Sequence, residues 1–221
     1  MVQVTLRGVR LAFADIWTAR PPKDGKGEAK FGATFILDPK KDRDAVKEIR
    51  AAIKKVAKEK WKDKGDRILA LIEGDAQKFC WFEEDYIDQE GEPVEGFEGM
   101  FYLRTKSGIQ PTLLDRDRTE LTKADGKPYP GCYVVAKVDI WAQDNTHGKG
   151  MRCQVQGIQF MKDGDAFGGG TRSKVDDFED LSDLGDDDDA PTTRRRPADD
   201  EDEPAPRSRR RPVEDDDDDI G

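Results

Sequence analysis

The sequence predicts a mainly β fold with some α structure: a small closed β-barrel with one long additional helix, followed by a disordered acidic tail. Three observations support this prediction. Apolar residues alternate in several stretches of the first 170 residues, one stretch has helical periodicity, and the charge balance changes near Thr171. Several strands with much coil and one long helix are typical of such a barrel.

The N-terminal residues predict a long strand that pairs with a second one. Apolar residues alternate from Val2 to Leu6, and Gly8 shifts the phase so that the same face continues from Val9 to Phe13. A one-residue shift of this kind is typical of a β-bulge. After a loop rich in Pro, Gly and Lys at 20–30, the alternation recurs from Phe31 to Leu37. We therefore expect an antiparallel pair joined by a basic loop.

One long amphipathic helix is predicted between Asp38 and Gly65. Asp38 followed by Pro39 can start a helix, and a glycine can end it. Apolar residues recur there at spacings of three and four and form one stripe: Val46, Ile49, Ile53, Val56 and Trp61. The lysines and arginines lie mostly on the other face, which we expect to be solvated. A shorter helix follows in DRILALIEG at 66–74.

Five further strands are predicted in the rest of the body. Their sequences are KFCWFE (78–83), FEGMFYLRT (97–105), IQPTLLD (109–115), CYVVAKVDIWAQD (132–144) and MRCQVQGIQFMKD (151–163). In the stretch 132–144, every second residue from Val134 to Ile140 is aliphatic, which predicts a core face. In the stretch 97–105, we expect Phe97 to share a face with Phe101 and Leu103.

Aromatic and basic side chains are interleaved on the faces opposite the predicted core. Tyr133, Lys137 and Trp141 share one such face, and Tyr102 and Arg104 share another. Bases of a single strand stack on aromatic rings while cations bind its phosphates, so this pattern favours single-stranded nucleic acid as the ligand. The alternative is that these rings pack beneath a loop or the long helix.

The charge of the chain divides it into two regions. Residues 171–221 hold nine Lys or Arg and twenty Asp or Glu, whereas residues 1–170 hold 29 and 28. The C-terminal charges come in alternating acidic and basic blocks with few large apolar residues, which cannot offset the entropy lost on ordering. We therefore predict a folded domain at 1–170 and a disordered tail at 171–221.

Sequence motifs of catalysis and metal binding are absent. There is no GxxxxGK[ST] loop or GxSxG elbow, and the single histidine lies in the polar stretch DNTHGKG. The three cysteines form no CxxC pair and are predicted to be buried thiols: Cys80, Cys132 and Cys153. Asp115 and Asp117 could suggest a metal-dependent nuclease, but their alternation with arginines favours local salt bridges. We expect neither enzymatic activity nor a cofactor.

The N-terminal residues do not predict a secretion signal. No basic region is followed by an apolar run there, and no stretch approaches the roughly 18 apolar residues of a membrane span. We therefore expect a cytoplasmic protein without a membrane partner.

Several stretches of the body resemble a known family. They are VTLRGVRLAFADIW (4–17), KFGATFILDPKKD (30–42), LLDRD (113–117), YPGCYVVAKVDIWAQDN (129–145), and GKGMRCQVQGIQFMKDGDAFGGGTR (148–172) running into DDF (176–178). On these residues the chain resembles the phage single-stranded DNA-binding protein family, an OB-fold family formerly described as a domain of unknown function. The likeness extends over about residues 1–180.

The resemblance implies an OB-fold-like β-barrel that binds single-stranded DNA with little sequence preference. It also implies a role in phage replication or recombination in the cytoplasm of an infected bacterium. Carried onto this sequence, the candidate DNA-binding residues are the basic and aromatic positions Trp17, Arg20, Lys30, Tyr102, Arg104, Lys106, Arg116, Tyr133, Lys137, Trp141, Lys149 and Arg152.

The acidic C-terminal tip predicts two further roles. We expect the tail to compete with DNA for the basic groove and, once displaced, to offer its tip to replication or recombination proteins. The tip consists of Asp215, Asp216, Asp217, Asp218, Asp219 and Ile220. Proteins of this kind tend to end in acids followed by an aromatic residue, whereas this chain ends in Ile220 and Gly221, a weaker hydrophobic anchor.

Two other functions are compatible with the same sequence. One is an RNA-binding module, since barrels with stacking platforms also bind RNA. The other is a DNA-mimicking or charge-decoy protein in which the acids form the active surface. The arginine blocks RRR (194–196) and RSRRR (207–211) fit auxiliary phosphate contacts or charge balance.

Overall fold

The computed structural model describes residues 1–22, 25, 27–88 and 90–167. Within them lie seven strands and two α-helices: β1 (Val2–Arg20), β2 (Lys30–Leu37), α1 (Arg43–Trp61), α2 (Gly65–Ile72), β3 (Trp81–Phe82), β4 (Phe101–Ser107), β5 (Thr112–Leu114), β6 (Tyr133–Asn145) and β7 (Gly148–Lys162). The predictions made for the C-terminal tail lie outside the described residues.

The strands form one strongly curled sheet. Their order is β3-β4-β2-β1-β6-β7-β5, and all pairs are antiparallel except β5 with β7. The curl brings β4 against β7, and the segment Lys78–Cys80 joins the two. The N–H of Arg104 donates to the Cys80 carbonyl at 2.8 Å, and that of Met151 donates to the Lys78 carbonyl at 2.7 Å. The predicted mainly β, barrel-like fold with one long helix is confirmed.

The core lies inside this curled sheet and beneath α1. In β6 the predicted aliphatic face is confirmed, since Val134, Ala136, Val138 and Ile140 are fully buried. Helix α1 packs its predicted stripe, from Val46 to Trp61, against β1 and β6. Polar and aromatic side chains occupy the outer face of the sheet.

Strand β1 contains three register shifts, of which the sequence predicted one; the last lies between Asp15 and Arg20. The bulge at Gly8 is confirmed: the register with β6 shifts between Arg7 and Val9, and Gly8 has a φ of 69°. A second shift follows after Ala12, and Phe13 has a φ of 45°. The prediction that Phe13 continues the core face is wrong, because this second shift turns its ring outward, where it is 48% exposed.

Helix α1 begins later than predicted, at Arg43 instead of Asp38. The Asp38 carboxylate accepts the N–H groups of Lys40 and Lys41 at 2.8 and 3.3 Å, which closes a turn before the helix. The N–H of Asp38 in turn donates to the Asp42 carboxylate at 2.8 Å. The acid therefore stabilises the turn that precedes the helix.

Strand β4 also begins later than predicted, at Phe101. Phe97 precedes the strand and does not share the inner face with Leu103. Its ring lies instead 5.6 Å from the rings of Phe13 and Tyr102, within an aromatic cluster on the outer face. Tyr86 and Phe82 complete this cluster.

The three cysteines are buried free thiols, as predicted. Burial raises the pKa of Cys80 to about 12 and that of Cys132 to about 11, and it raises the pKa of Cys153 as well. Among the described residues, no helix is both long and apolar enough to cross a membrane.

Candidate nucleic-acid interface

Four cations converge on the outer face of the sheet where β4 approaches β7. Lys30 comes from β2, Arg104 and Lys106 come from β4, and Arg152 comes from β7. In the β2–β4 pair, Arg104 lies opposite Thr34 and Lys106 opposite Gly32, so their side chains share the face opposite the core. We call these four residues the basic cluster.

The electrostatics of Lys106 show that the four charges act on one another. Partial burial lowers the pKa of Lys106, and the positive charges of Arg104, Lys30 and Arg152 lower it further. A lowered lysine pKa means that the protonated form is disfavoured by like charges and by loss of water. A bound anion would offset the repulsion between these like charges.

The two arginines are held by backbone carbonyls just before the segment that joins β4 and β7. Arg104 donates to the carbonyl of Ala76 at 3.4 Å, and Arg152 donates to the carbonyl of Gln77. Arg152 also donates to the Gln143 side chain at 3.0 Å. The guanidinium groups are therefore oriented before any ligand arrives, which lowers the entropic cost of binding.

A glycine permits this arrangement. Gly150 lies so close to the joining segment that an added Cβ would stand 3.0 Å from the Lys78 carbonyl oxygen and 3.3 Å from Nε of Arg152. Any larger residue would push the segment or the arginine away.

Two predicted tryptophans lie on strands that pair with strands of the basic cluster, Trp17 on β1 beside β2 and Trp141 on β6 beside β7. Trp141 is the cross-strand partner of Arg152 and is partly exposed, so the two side chains start from neighbouring positions on one face of the sheet. Trp17 is half-buried near the end of β1, before Arg20, which pairs with Lys30 in the β1–β2 ladder. Arg20 is itself ion-paired with Asp15 at 2.8 Å.

Tyr102 lies in a different environment from the one the sequence suggested. It is only 6% exposed, its ring stacks on Phe82 at 4.8 Å, and Tyr86 and Phe97 contact it edge-on. Burial also raises its pKa to about 12. In this structure Tyr102 is a packing residue, with no ring face open to a base.

The remaining predicted residues lie apart from the basic cluster. Tyr133, at the other end of β6, has the Lys162 ammonium 4.5 Å and the Arg10 guanidinium 5.9 Å from its ring centre. Three others are exposed: Lys137 in the middle of β6, Arg116 in the turn after β5, and Lys149 at the start of β7, where it pairs with Asp144 at 2.6 Å.

The contribution of residues 76–82 was not predictable from their sequence pattern. Their carbonyls orient both arginines, and the Phe82 ring lies 6.0 Å below the Arg104 guanidinium. The stretch KFCWFE carried a strand signal, but only Trp81–Phe82 is a strand. The alternating pattern of β3 gives no sign that the residues before it hydrogen-bond to both β4 and β7.

The aspartates of the LLDRD stretch act within their own turn. Asp115 accepts the N–H of Arg116 at 2.7 Å, and Asp117 accepts that of Thr119 at 2.9 Å. The hydrogen bonds from Thr119 lower the pKa of Asp117. Both carboxylates thus stabilise a turn, and in the described part of the chain no group of three or more potential metal ligands is found.

Several known proteins resemble this chain in sequence or in fold. The profile of the family described as "Enterobacter phage Enc34, ssDNA-binding protein" matches residues 2–190. Protein p50 of Acyrthosiphon pisum secondary endosymbiont phage 1 is 37% identical over 182 residues, which cover 82% of this chain and 95% of that protein.

Two solved structures share the fold. The single-stranded DNA-binding protein from bacteriophage Enc34 in complex with ssDNA aligns with a TM-score of 0.62 at 21% identity, covering 75% of this chain and 89% of that one. A C-terminal truncation of the same protein aligns with a TM-score of 0.54 at 21% identity, covering 75% and 88%.

Proposed function

The chain belongs to the family of the Enterobacter phage Enc34 single-stranded DNA-binding protein, and on that premise we propose that it binds single-stranded DNA with little sequence preference. The observation that carries the proposal is the basic cluster, four cations from three strands on one outer face. It acts by binding and has no catalytic step.

The basic cluster binds the phosphates. Its charges repel one another when the site is empty, as the lowered pKa of Lys106 indicates, and phosphates relieve that repulsion. Arg104 and Arg152 are oriented by backbone carbonyls, so they can donate charge-assisted hydrogen bonds without first being ordered. None of these contacts reads a base edge, which accounts for the low sequence preference.

Aromatic rings beside the basic cluster bind the bases. Trp141 is the foremost candidate because it neighbours Arg152 and keeps part of its ring exposed. Trp17 is the second. A base stacked on an aromatic ring contributes about 1–3 kcal/mol irrespective of its identity. A DNA strand that extends past the basic cluster would contact the other predicted residues. These are Tyr133, Lys137, Lys149 and Arg116.

The acidic tail regulates this surface in our proposal. Residues 171–221 are tethered to the domain, so they compete with DNA at a high effective concentration. DNA displaces them because its phosphates release condensed counterions. The freed tip, Asp215–Ile220, then recruits replication or recombination proteins inside the infected bacterial cell.

Fluorescence anisotropy of labelled oligo-dT tests the proposal. The full chain and a truncation after Gly170 are titrated across a salt series, with duplex DNA and a matched RNA strand as competitors. Binding of the single strand above duplex, with a slope of log affinity against log salt of about −3 for four phosphate contacts, supports it. Tighter binding by the truncated chain at low salt supports the competing tail.

The alternative functions give different results in the same assay. Preference for the RNA strand would identify an RNA-binding module. Failure of the truncated chain to bind at any salt concentration would refute DNA binding by the domain and favour the charge-decoy function of the acids.

A further inference from the structure

An apolar groove lies on the outer surface between Phe13, within β1, and the connection from β3 to β4. It has a volume of about 410 Å³ and is lined by Phe13, Tyr86, Ile87, Val94, Asp88 and Glu90. Phe13 and Ile87 are each 48% exposed. The groove thus has an apolar floor and a carboxylate rim.

The connection that forms this rim is strongly acidic. Residues 83–98, which we call the acidic loop, contain eight Asp or Glu and no Lys or Arg. The Asp88 side chain accepts the N–H groups of Glu90 and Glu92 and so fixes a turn. Within the described residues, Glu83 alone among these acids has a salt bridge. Such a surface repels phosphate, so the groove is not an extension of the DNA site.

The exposed face of α1 has the opposite charge. Between Glu48 and Glu59 every charged residue of the helix is a cation, and the set consists of Arg50, Lys54, Lys55 and Lys58. We call it the basic stripe. Its three lysines are exposed and have no salt bridge with any described residue.

The two surfaces meet at one ion pair. Arg50 of the basic stripe donates to both carboxylate oxygens of Glu83, the first residue of the acidic loop, at 2.6 and 2.5 Å. A positive surface and a negative surface therefore lie side by side in one molecule. A two-fold axis near their junction would place the positive half of each copy on the negative half of the other.

We propose that the groove is occupied by a second copy of this chain, in a symmetric dimer that pairs the basic stripe of each copy with the acidic loop of the other. Lysine suits the groove because its aliphatic stem can cover Phe13 and Ile87 while its ammonium group reaches Asp88 and Glu90. The contact is isologous and closes at two copies.

Charge pairing makes this dimer sensitive to salt. The screening length falls from about 10 Å at 0.1 M salt to about 3 Å at 1 M. We therefore expect a species of twice the 24.9 kDa chain mass at the lower concentration and a monomer at the higher one. This inference does not depend on DNA binding, because neither surface includes the basic cluster.

Sedimentation velocity of the full chain without DNA tests the dimer. One variant reverses the acidic loop (Glu90→Lys, Glu92→Lys, Glu95→Lys), and another reverses the basic stripe (Lys54→Glu, Lys55→Glu, Lys58→Glu). Each should be monomeric alone, because like charges then face each other across both halves of the interface. An equimolar mixture should restore the dimer, because all facing charges are again opposite.

A matched control separates this effect from net charge. The variant Asp186→Lys, Asp187→Lys, Asp188→Lys changes the net charge by the same amount as the acidic-loop reversal, but in the tail, and should still dimerise. Circular dichroism verifies that all variants fold. The proposal is overturned if the wild type is monomeric at both salt concentrations, as it would be if its own arginine blocks filled the groove. It is equally overturned if either reversed variant still dimerises alone, or if the mixture stays monomeric.

Discussion

Arg104 and Arg152 donate hydrogen bonds to consecutive carbonyls, those of Ala76 and Gln77, although they belong to strands that are not neighbours in the sheet order. The segment between α2 and β3 therefore sets the spacing of two cations from β4 and β7. In our proposal this spacing presents both guanidinium groups to one strand of DNA.

Replacement of Arg104 or Arg152 by Ala should weaken oligo-dT binding by on the order of tenfold, since a hydrogen bond to a charged group contributes about 1.5 kcal/mol or more. The salt slope should fall by about 0.7 for each lost phosphate contact. Anisotropy titrations across a salt series measure both. The control Lys123→Ala removes one exposed charge away from the cluster and should leave the slope unchanged. An unchanged slope in both arginine variants would exclude them as phosphate ligands.

Replacement of Trp141 by Ala should cost about 1–3 kcal/mol of binding free energy through the loss of one stacked base. The salt slope should stay at the wild-type value, because the ring carries no charge. Trp141→Phe keeps a smaller ring and should recover part of the affinity. If Trp141→Ala binds oligo-dT as tightly as the wild type, the stacking platform lies elsewhere.

Tyr102→Ala should lower the free energy of unfolding by about 3 kcal/mol, the usual cost of deleting a buried ring. The ring is buried against Phe82, Tyr86 and Phe97. Tyr102→Phe retains these contacts and should remain close to the wild type in urea unfolding. A fully stable Tyr102→Ala variant with weakened DNA binding would instead indicate that the ring stacks on a base.

Lys106 should make DNA binding sensitive to alkaline pH. Its pKa lies below the ordinary 10.5, first through burial and then through Arg104, Lys30 and Arg152. The side chain therefore loses its charge at a lower pH than an exposed lysine, and affinity falls with it. Lys106→Arg keeps the charge, so its affinity should persist as pH rises from about 7 to about 10. Parallel loss of affinity in both proteins would assign the pH dependence to another group.

The ion pair between Arg50 and Glu83 should stabilise the fold above the ordinary pKa of Glu83 and lose that contribution in acid. The hydrogen bond from Arg50 lowers the pKa of Glu83 below its ordinary 4.5. The Glu83 carboxylate therefore takes up a proton more readily in the unfolded chain than in the folded one. The stability that the ion pair contributes is lost as pH falls through the folded-state pKa of Glu83. Thermal unfolding of wild type and Glu83→Gln should differ near pH 7 and converge in acid. A difference that persists in acid would mean that Glu83 stabilises the fold without its charge.

The alternation in β6 and the bulge at Gly8 could be read from the sequence because each depends on local geometry. A strand has a period of two, and a glycine at positive φ marks the place where that period slips. The stripe of α1 was predictable for the same reason. These features required no knowledge of what lies across the core.

The outward turn of Phe13 and the burial of Tyr102 could not be read in this way. Both depend on Tyr86 and Phe97, which lie on a connection with no periodic pattern of its own. The orientation of Arg104 and Arg152 likewise depends on backbone carbonyls, which every sequence provides at every position. Alternation within each strand predicted which residue types lie on the outer face. Contacts between residues far apart in the sequence decide which of these side chains lie next to each other.

The burial of every cysteine in the chain has a practical consequence for following this protein on DNA. Maleimide dyes react with thiolates, and burial raises the pKa of Cys80, Cys132 and Cys153. An introduced surface thiol, such as Thr146→Cys in the exposed β6–β7 turn, would therefore be labelled selectively. Single-molecule energy transfer between that dye and a labelled strand can then be recorded with all native cysteines in place.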